Sequence, residues 1–296
     1  PVPVADFVAR GAEAGADPAQ MMRDAEVVIT SLPSPAASRA VLDAMLPEMG
    51  PGKIWMEMST TDPAQIEAQA AEVAGRGALA IDCPVSGGCH RAATGNISIF
   101  AGCDRAAFDR VLPILTLLGR RVLHTGAVGT ASRLKVMTNY LATANLLTLC
   151  EALVTMKAQG LDMATTYEAI KISSGTSFVH ETESQLILSG SRDVDFTMDL
   201  ILKDLGLFQA LADDAQVPLE LSPKVIEIMQ DGARRYGMRG QTDRIIERLE
   251  EATGLKVTAP GFPDELIDEE PEERGYEVVP PAASCKHWSS GNLMPF

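Results

Sequence analysis

The sequence is poor in positive charge. Its 296 residues hold 25 Lys and Arg against 40 Asp and Glu, a formal charge of −15. General nucleic-acid binding needs basic stripes that neutralise phosphates, so that class is set aside. Long apolar runs are missing too: no 18 consecutive apolar residues occur, so no bilayer-spanning helix is expected. The opening Pro1-Val2-Pro3-Val4 lacks the basic start and apolar stretch of a secretion signal. Cysteine is scarce and odd in number (Cys83, Cys89, Cys103, Cys150, Cys285), with no C-x-x-C pair. Reduced thiols in a cytoplasmic protein are therefore expected. What the chain does have is 46% hydrophobic residues, enough for one large core or two ordinary ones.

Short apolar runs alternate with amphipathic stretches in the first third. Residues 26–32, 53–58 and 78–82 read as buried strands, and 97–101 and 121–124 as two more, with a helix over 104–118. Asp17-Pro18 and Asp62-Pro63 each place a capping carboxylate before a proline at the first helical position. Strand, helix, strand at this spacing predicts βαβ units and a mainly parallel sheet. From Thr130 to Gln159 there is no Pro or Gly, and apolar residues recur at helical spacing, which predicts one long helix. Shorter helices follow to about 252. The expected organisation is an α/β domain over 1–128, an all-helical domain over 129–254, and a tail over 255–296. Between Phe262 and Glu277 eight acidic residues face one basic one, Arg274, which reads as a solvated, poorly ordered segment. Leu146, Leu147, Leu149, Leu153 and Val154 run around most of the long helix, and a homodimer or homotetramer is expected to cover them.

Three segments can carry chemistry. Asp82-Cys83-Pro84-Val85-Ser86-Gly87-Gly88 sits at the carboxyl end of a predicted strand, where open α/β sheets bind ligands. Its hydroxyl and unhindered N–H groups suit a carboxylate, although an ordinary glycine turn reads the same way. Lys135 and Asn139 share one helix face that continues into Ala142 and Leu146. A lysine on a buried stripe needs a reason, and snorkelling to the surface is its commoner fate. Phe196 and Lys203-Asp204-Leu205 form a charged helical turn.

Taken together, D-x-P-V-S-G-G…A-x-x-G, then G-x-x-G…K-x-x-x-N, then F…K-D-L resembles the β-hydroxyacid dehydrogenases, the family of 3-hydroxyisobutyrate dehydrogenase. The resemblance covers roughly residues 10–250. It implies a Rossmann-type α/β domain that binds NAD or NADP, followed by a helical domain, with a small hydroxy acid held between them. Carried over residue by residue, Ser86, Gly87 and Gly88 hold the substrate carboxylate, Lys135 is the general acid/base and Asn139 orients the substrate. Leu32, Pro33, Ser59 and Thr60 match cofactor-contact positions, and Lys203 closes the site near the nicotinamide. No metal, nucleic-acid partner or membrane is implied.

The family opens with a strand and a G-x-G-x-x-G turn, and this sequence carries neither. Pro1 aligns just after the family's second strand, so an incomplete version of a longer chain is expected. Tartronate semialdehyde (2-hydroxy-3-oxopropionate) reductase shares all three motifs, and enzymes acting on serine or threonate are further alternatives. A non-catalytic binding module that kept the fold is a reading from another class, and retention of Ser86, Lys135 and Asn139 argues against it. The 6-phosphogluconate branch carries histidine where Thr138 stands, which disfavours a sugar phosphate. A serine hydrolase built on Ser86 would lack the G-x-S-x-G elbow. Cys285 and His287 are too few ligands for a metal site.

Overall fold

The computed structural model describes residues 4–15 and 17–281. Cys285 and His287 lie outside them. A short exposed helix, α1 (Val4–Ala9), precedes α2 (Pro18–Asp24), where the Asp17 carboxylate accepts the Gln20 N–H. Then β1 (Val27–Thr30), α3 (Pro35–Met45), β2 (Ile54–Glu57), α4 (Pro63–Gly75) and β3 (Leu79–Asp82) follow in strict alternation. Asp62 caps α4 in the same way, accepting from the Gln65 N–H at 2.9 Å. The alternation in β2 explains the two faces. Ile54 and Met56 enter one core with Ile81, Ile99 and Phe108. Trp55 enters the other, with Met22, Leu42 and Ile66. Both faces are covered, as a parallel sheet requires.

Past Asp82 the strand continues through Cys83-Pro84 into β4 (Val85–Ser86), then α5 (Gly88–Ala93), β5 (Ser98–Gly102), α6 (Arg105–Leu118) and β6 (Arg121–Gly126). The register is unbroken across Pro84: Asp82 faces Gly102, Val85 faces Ile99 and Ser86 faces Ser98. This junction is antiparallel, so the sheet is two parallel blocks running in opposite directions and joined at the middle. The reversal arises because no crossover helix long enough to return the chain separates β4 from β5, only the six-residue α5.

The long helix α7 (Thr130–Ala158) leaves the sheet and is surrounded by α8 (Met163–Lys171), α9 (Phe178–Ser189), α10 (Met198–Asp214), α11 (Leu221–Tyr236) and α12 (Glu247–Thr253). Two sequence expectations bear on this helix. By length and composition α7 is apolar enough to cross a bilayer. Its apolar side chains nevertheless meet those of its own domain. Leu146, Leu147, Leu149, Leu153 and Val154 are 8% exposed or less, packed with Val179, Ile187, Ile201, Leu205 and Met229. The chain itself covers them, so they give no reason to call for a partner subunit.

The acidic segment departs from expectation in its order: five of its eight carboxylates are exposed, yet it lies along the α/β domain and ends in β7 (Tyr276–Val278), a parallel strand beside β6. Buried Asn96 donates to the Asp268 carboxylate at 2.7 Å and to the Glu270 carbonyl at 2.9 Å. Glu270 also accepts from Arg91 and Arg121, both at 3.0 Å. Arg105–Glu277 and Arg120–Glu273 complete the strap. Such half-exposed ion pairs are worth under about 1 kcal/mol, whereas the two hydrogen bonds donated by Asn96 together contribute about 1–3 kcal/mol. Asn96→Ala is therefore expected to lower Tm by roughly 3–8 °C and to hasten proteolysis within 264–278, while 0.5 M salt leaves the strap in place. Equal protease resistance of variant and parent would refute this.

Candidate active site

The site begins with Asp82 at the end of β3. Its carboxylate is fully buried and accepts three hydrogen bonds: from Gly129 N–H at 3.0 Å, Ser132 N–H at 2.9 Å and the Ser132 hydroxyl at 2.6 Å. It therefore caps α7 from across the sheet and satisfies donors that the helix cannot. Gly129 has φ +88°, a left-handed conformation that favours glycine at this entry. Burial raises the Asp82 pKa, against the lowering effect of these hydrogen bonds.

The same strand, continued through Pro84, delivers Ser86 to Gly87 and Gly88. Gly87 has φ +135° and Gly88 φ +84°, a left-handed pair that turns the chain into α5. One and a half turns into α7, Lys135 is 8% exposed. Burial pulls its pKa down to about 8, with nearby Lys203 adding to the effect and Asp204 opposing it. On α10, Lys203 Nζ donates to the Thr60 carbonyl at 2.8 Å and to Asp204 Oδ1 at 2.6 Å. Asn139 Nδ2 donates to the other oxygen of Asp204. Asp204, 1% exposed, thus ties α10 to α7, while Lys203 ties α10 to the loop after β2.

A cleft of about 380 Å³ opens between the two halves. Ser86, Gly87, Gly88, Lys135, Asn139 and Thr60 line it together, although Ser86 and Lys135 stand far apart in the sequence. The other cofactor candidates stand beside it. Ser59 is buried, and its hydroxyl accepts the Leu32 N–H at 2.6 Å; Leu32 is half-buried and Pro33 exposed. Buried Glu57 anchors this loop, accepting from the Ser59 N–H at 2.8 Å and from the Ser38 hydroxyl. Thr61 Oγ1, next along the loop, is buried without a hydrogen-bond partner. The carboxyl ends of β1 and β2 thus offer backbone and hydroxyl groups where α/β sheets take nucleotides.

Residues 1–126 match the family described as the NAD binding domain of 6-phosphogluconate dehydrogenase. Residues 129–249 match the NAD-binding domain of NADP-dependent 3-hydroxyisobutyrate dehydrogenase. The chain is 32% identical over 260 residues to 2-(hydroxymethyl)glutarate dehydrogenase of Eubacterium barkeri, covering 86% of each. It belongs to the β-hydroxyacid dehydrogenase family. Another relative is 3-sulfolactaldehyde reductase of Escherichia coli (strain K12), 31% identical and covering 85% of this chain and 86% of that one. The crystal structure of 3-hydroxyisobutyrate dehydrogenase from Salmonella typhimurium superposes with a TM-score of 0.76 at 25% identity, over 82% of this chain and 87% of that one. As a β-hydroxyacid dehydrogenase, the protein binds NAD or NADP and acts on a CH–OH group.

Sequence reasoning passed over several groups of this dehydrogenase. Asp204 was visible only as the neighbour of Lys203, and Asp82 only as the head of a glycine motif. Glu183, which also lines the cleft, carries no motif at all. For Asp204 a signal existed, because a carboxylate on a helix face bearing a site lysine needs a partner if it is buried.

Proposed function

We propose that the protein interconverts a small 3-hydroxy acid, 3-hydroxyisobutyrate-like in size, and its semialdehyde, with Lys135 as general acid/base. The observation that carries this reading is a lysine buried in the same cleft as Ser86-Gly87-Gly88, with a pKa lowered to about 8. Bound NAD or NADP accepts or returns the hydride. Leu32, Pro33, Ser59 and Thr60 hold its nicotinamide half, and Lys203 keeps α10 against Thr60 so that the cleft is closed on that side. Ser86 and the glycine N–H groups hold the substrate carboxylate, which orients the hydroxyl. Lys135 Nζ, neutral in a fraction of molecules near pH 7, takes the hydroxyl proton on oxidation and returns it on reduction. Asn139, one amide N–H held by Asp204, keeps the other to donate to the substrate hydroxyl oxygen. In this reading residues 1–128 bind the cofactor and 129–254 complete the substrate site.

Fluorescence titration of the chain with NADH and then NADPH is expected to give saturable binding of at least one. A panel of 3-hydroxy acids with the matching oxidised cofactor is then expected to generate the reduced form. Saturable binding without turnover of any acid in the panel would overturn the reaction class while leaving the cofactor site intact.

A further inference from the structure

Opposing requirements meet in one wall of the cleft. α9 contributes Phe178, Val179, Thr182 and Glu183 to it. Most of this stretch is what a small acid with an apolar substituent would need, and Glu183 is the exception. Although the residue is only partly buried, its Oε2 is sealed from solvent and has no hydrogen-bond partner among the described residues. Behind it, in the 3-10 turn Thr242–Ile246, Asp243 is 0% exposed and neither of its carboxylate oxygens is hydrogen-bonded. Burial, and then the charge of Asp243, pushes the Glu183 carboxyl up to about 8; burial pushes Asp243 up to about 7. Arg192 is close enough to Asp243 to oppose that rise, yet the hydrogen bonds it makes run to the Glu250 carboxylate at 3.0 Å and the Ile187 carbonyl at 2.8 Å.

A buried acceptor without a donor is costly to keep, and nothing among the described residues relieves it. A ligand donor placed in the cleft would. The other charged or titratable side chains lining the cleft among the described residues are Lys135, Asp195, His90 and Cys89. Lys135 belongs to the reacting end, and burial lowers the His90 pKa, which keeps that ring neutral. A second anion on the substrate would therefore meet acidic groups and no free cation, whereas an ammonium or hydroxyl would complete Glu183.

We propose that Glu183, backed by Asp243, sets the substrate specificity of the cleft. It selects 3-hydroxy acids whose C2 substituent is a hydrogen-bond donor, an ammonium above a hydroxyl, over those bearing a methyl group or a second anion. The inference rests on the reaction assigned above and narrows its substrate class. An ammonium ionises Glu183 and pairs with it. A hydroxyl donates to the carboxyl group without changing its charge. A methyl leaves Oε2 unpaired, and a carboxylate must be desolvated with no partner.

The test compares kcat/KM for serine, glycerate, 3-hydroxyisobutyrate and 2-(hydroxymethyl)glutarate in the parent, Glu183→Gln and Glu183→Leu. Thermal shift by the same four acids, with cofactor present, runs in parallel. The parent is expected to rank them in that order, with at least about 10²-fold between first and last. Glu183→Leu is expected to lose about 10²-fold on serine and to leave 3-hydroxyisobutyrate nearly unchanged. Glu183→Gln, the isosteric replacement, keeps glycerate and loses serine. A parent that prefers the methyl acid or the diacid overturns the proposal, and so do variants that change all four acids alike. If no acid is oxidised but serine shifts the parent's Tm and not that of Glu183→Leu, the selectivity stands and the assigned reaction falls. If neither turnover nor any shift by serine is seen, both fall.

Discussion

Lys135→Ala is expected to lower turnover by at least about 10²-fold, the low end for removal of a general acid/base, with NADH or NADPH affinity nearly unchanged. The physical ground is the match between the lysine's surroundings and its task. An ordinary lysine, near 10.4, holds its proton too tightly to act as a base at neutral pH. Burial brings Lys135 down to about 8, Lys203 pushes in the same direction, and only Asp204 resists. The positive ring of an oxidised cofactor would lower it further. Oxidation needs the neutral amine, so kcat/KM in that direction should rise with pH through about 8 and level off above it. Reduction should fall over the same window. Lys135→Arg should be as inactive as the alanine variant, since a guanidinium does not give up its proton. Asp204→Asn removes the one influence that raises the lysine's pKa, so the midpoint should move down. A variant Lys135→Ala within tenfold of the parent, or a midpoint that moves up in Asp204→Asn, would remove Lys135 from this role.

The second large effect is expected at a residue that touches no ligand. Asp82→Ala leaves the Gly129 and Ser132 N–H groups and the Ser132 hydroxyl without their acceptor inside the protein. Each unsatisfied buried donor costs about 1–3 kcal/mol. Against this, the variant no longer has to desolvate a carboxylate, a cost reflected in its raised pKa. The donors outnumber the single charge, and the cap also faces the positive end of α7. A net loss of about 3 kcal/mol is expected, lowering Tm by roughly 6–12 °C. Because Ser132 lies one turn before Lys135, turnover should fall as well. Asp82→Asn keeps one acceptor oxygen but turns an NH2 toward a donor, so it should fall between parent and alanine. Thermal unfolding of the three proteins measures this directly, and an alanine variant melting with the parent would show that the cap is dispensable.

Both effects rest on partners that no short stretch of sequence brings together, although much else was legible. The helix starts at Pro18 and Pro63 follow from an aspartate placed one residue earlier, a signal carried by two neighbours. The 29 residues of α7 follow from an uninterrupted helical period, and Lys135 with Asn139 share a face because four residues make about one turn. The three motifs and their order disclosed the family. These are statements of short range, where backbone geometry alone relates one residue to the next.

What only the tertiary structure decided is which charges are solvated and which are paired. Asn139 meets Asp204 from 65 residues away, and Ser132 meets Asp82 from 50. The acidic run near the end reads as poorly ordered by composition, yet Asp268 reaches back 172 residues to Asn96 and holds it in place. The leucines of α7 call for a cover, and their sequence does not say that the cover comes from the same chain. Composition states the sign of a charge or the apolarity of a face. Whether water, a counter-charge or a neighbouring helix meets it depends on long-range packing, which is where Asp82, Asp204 and Glu183 acquire their roles.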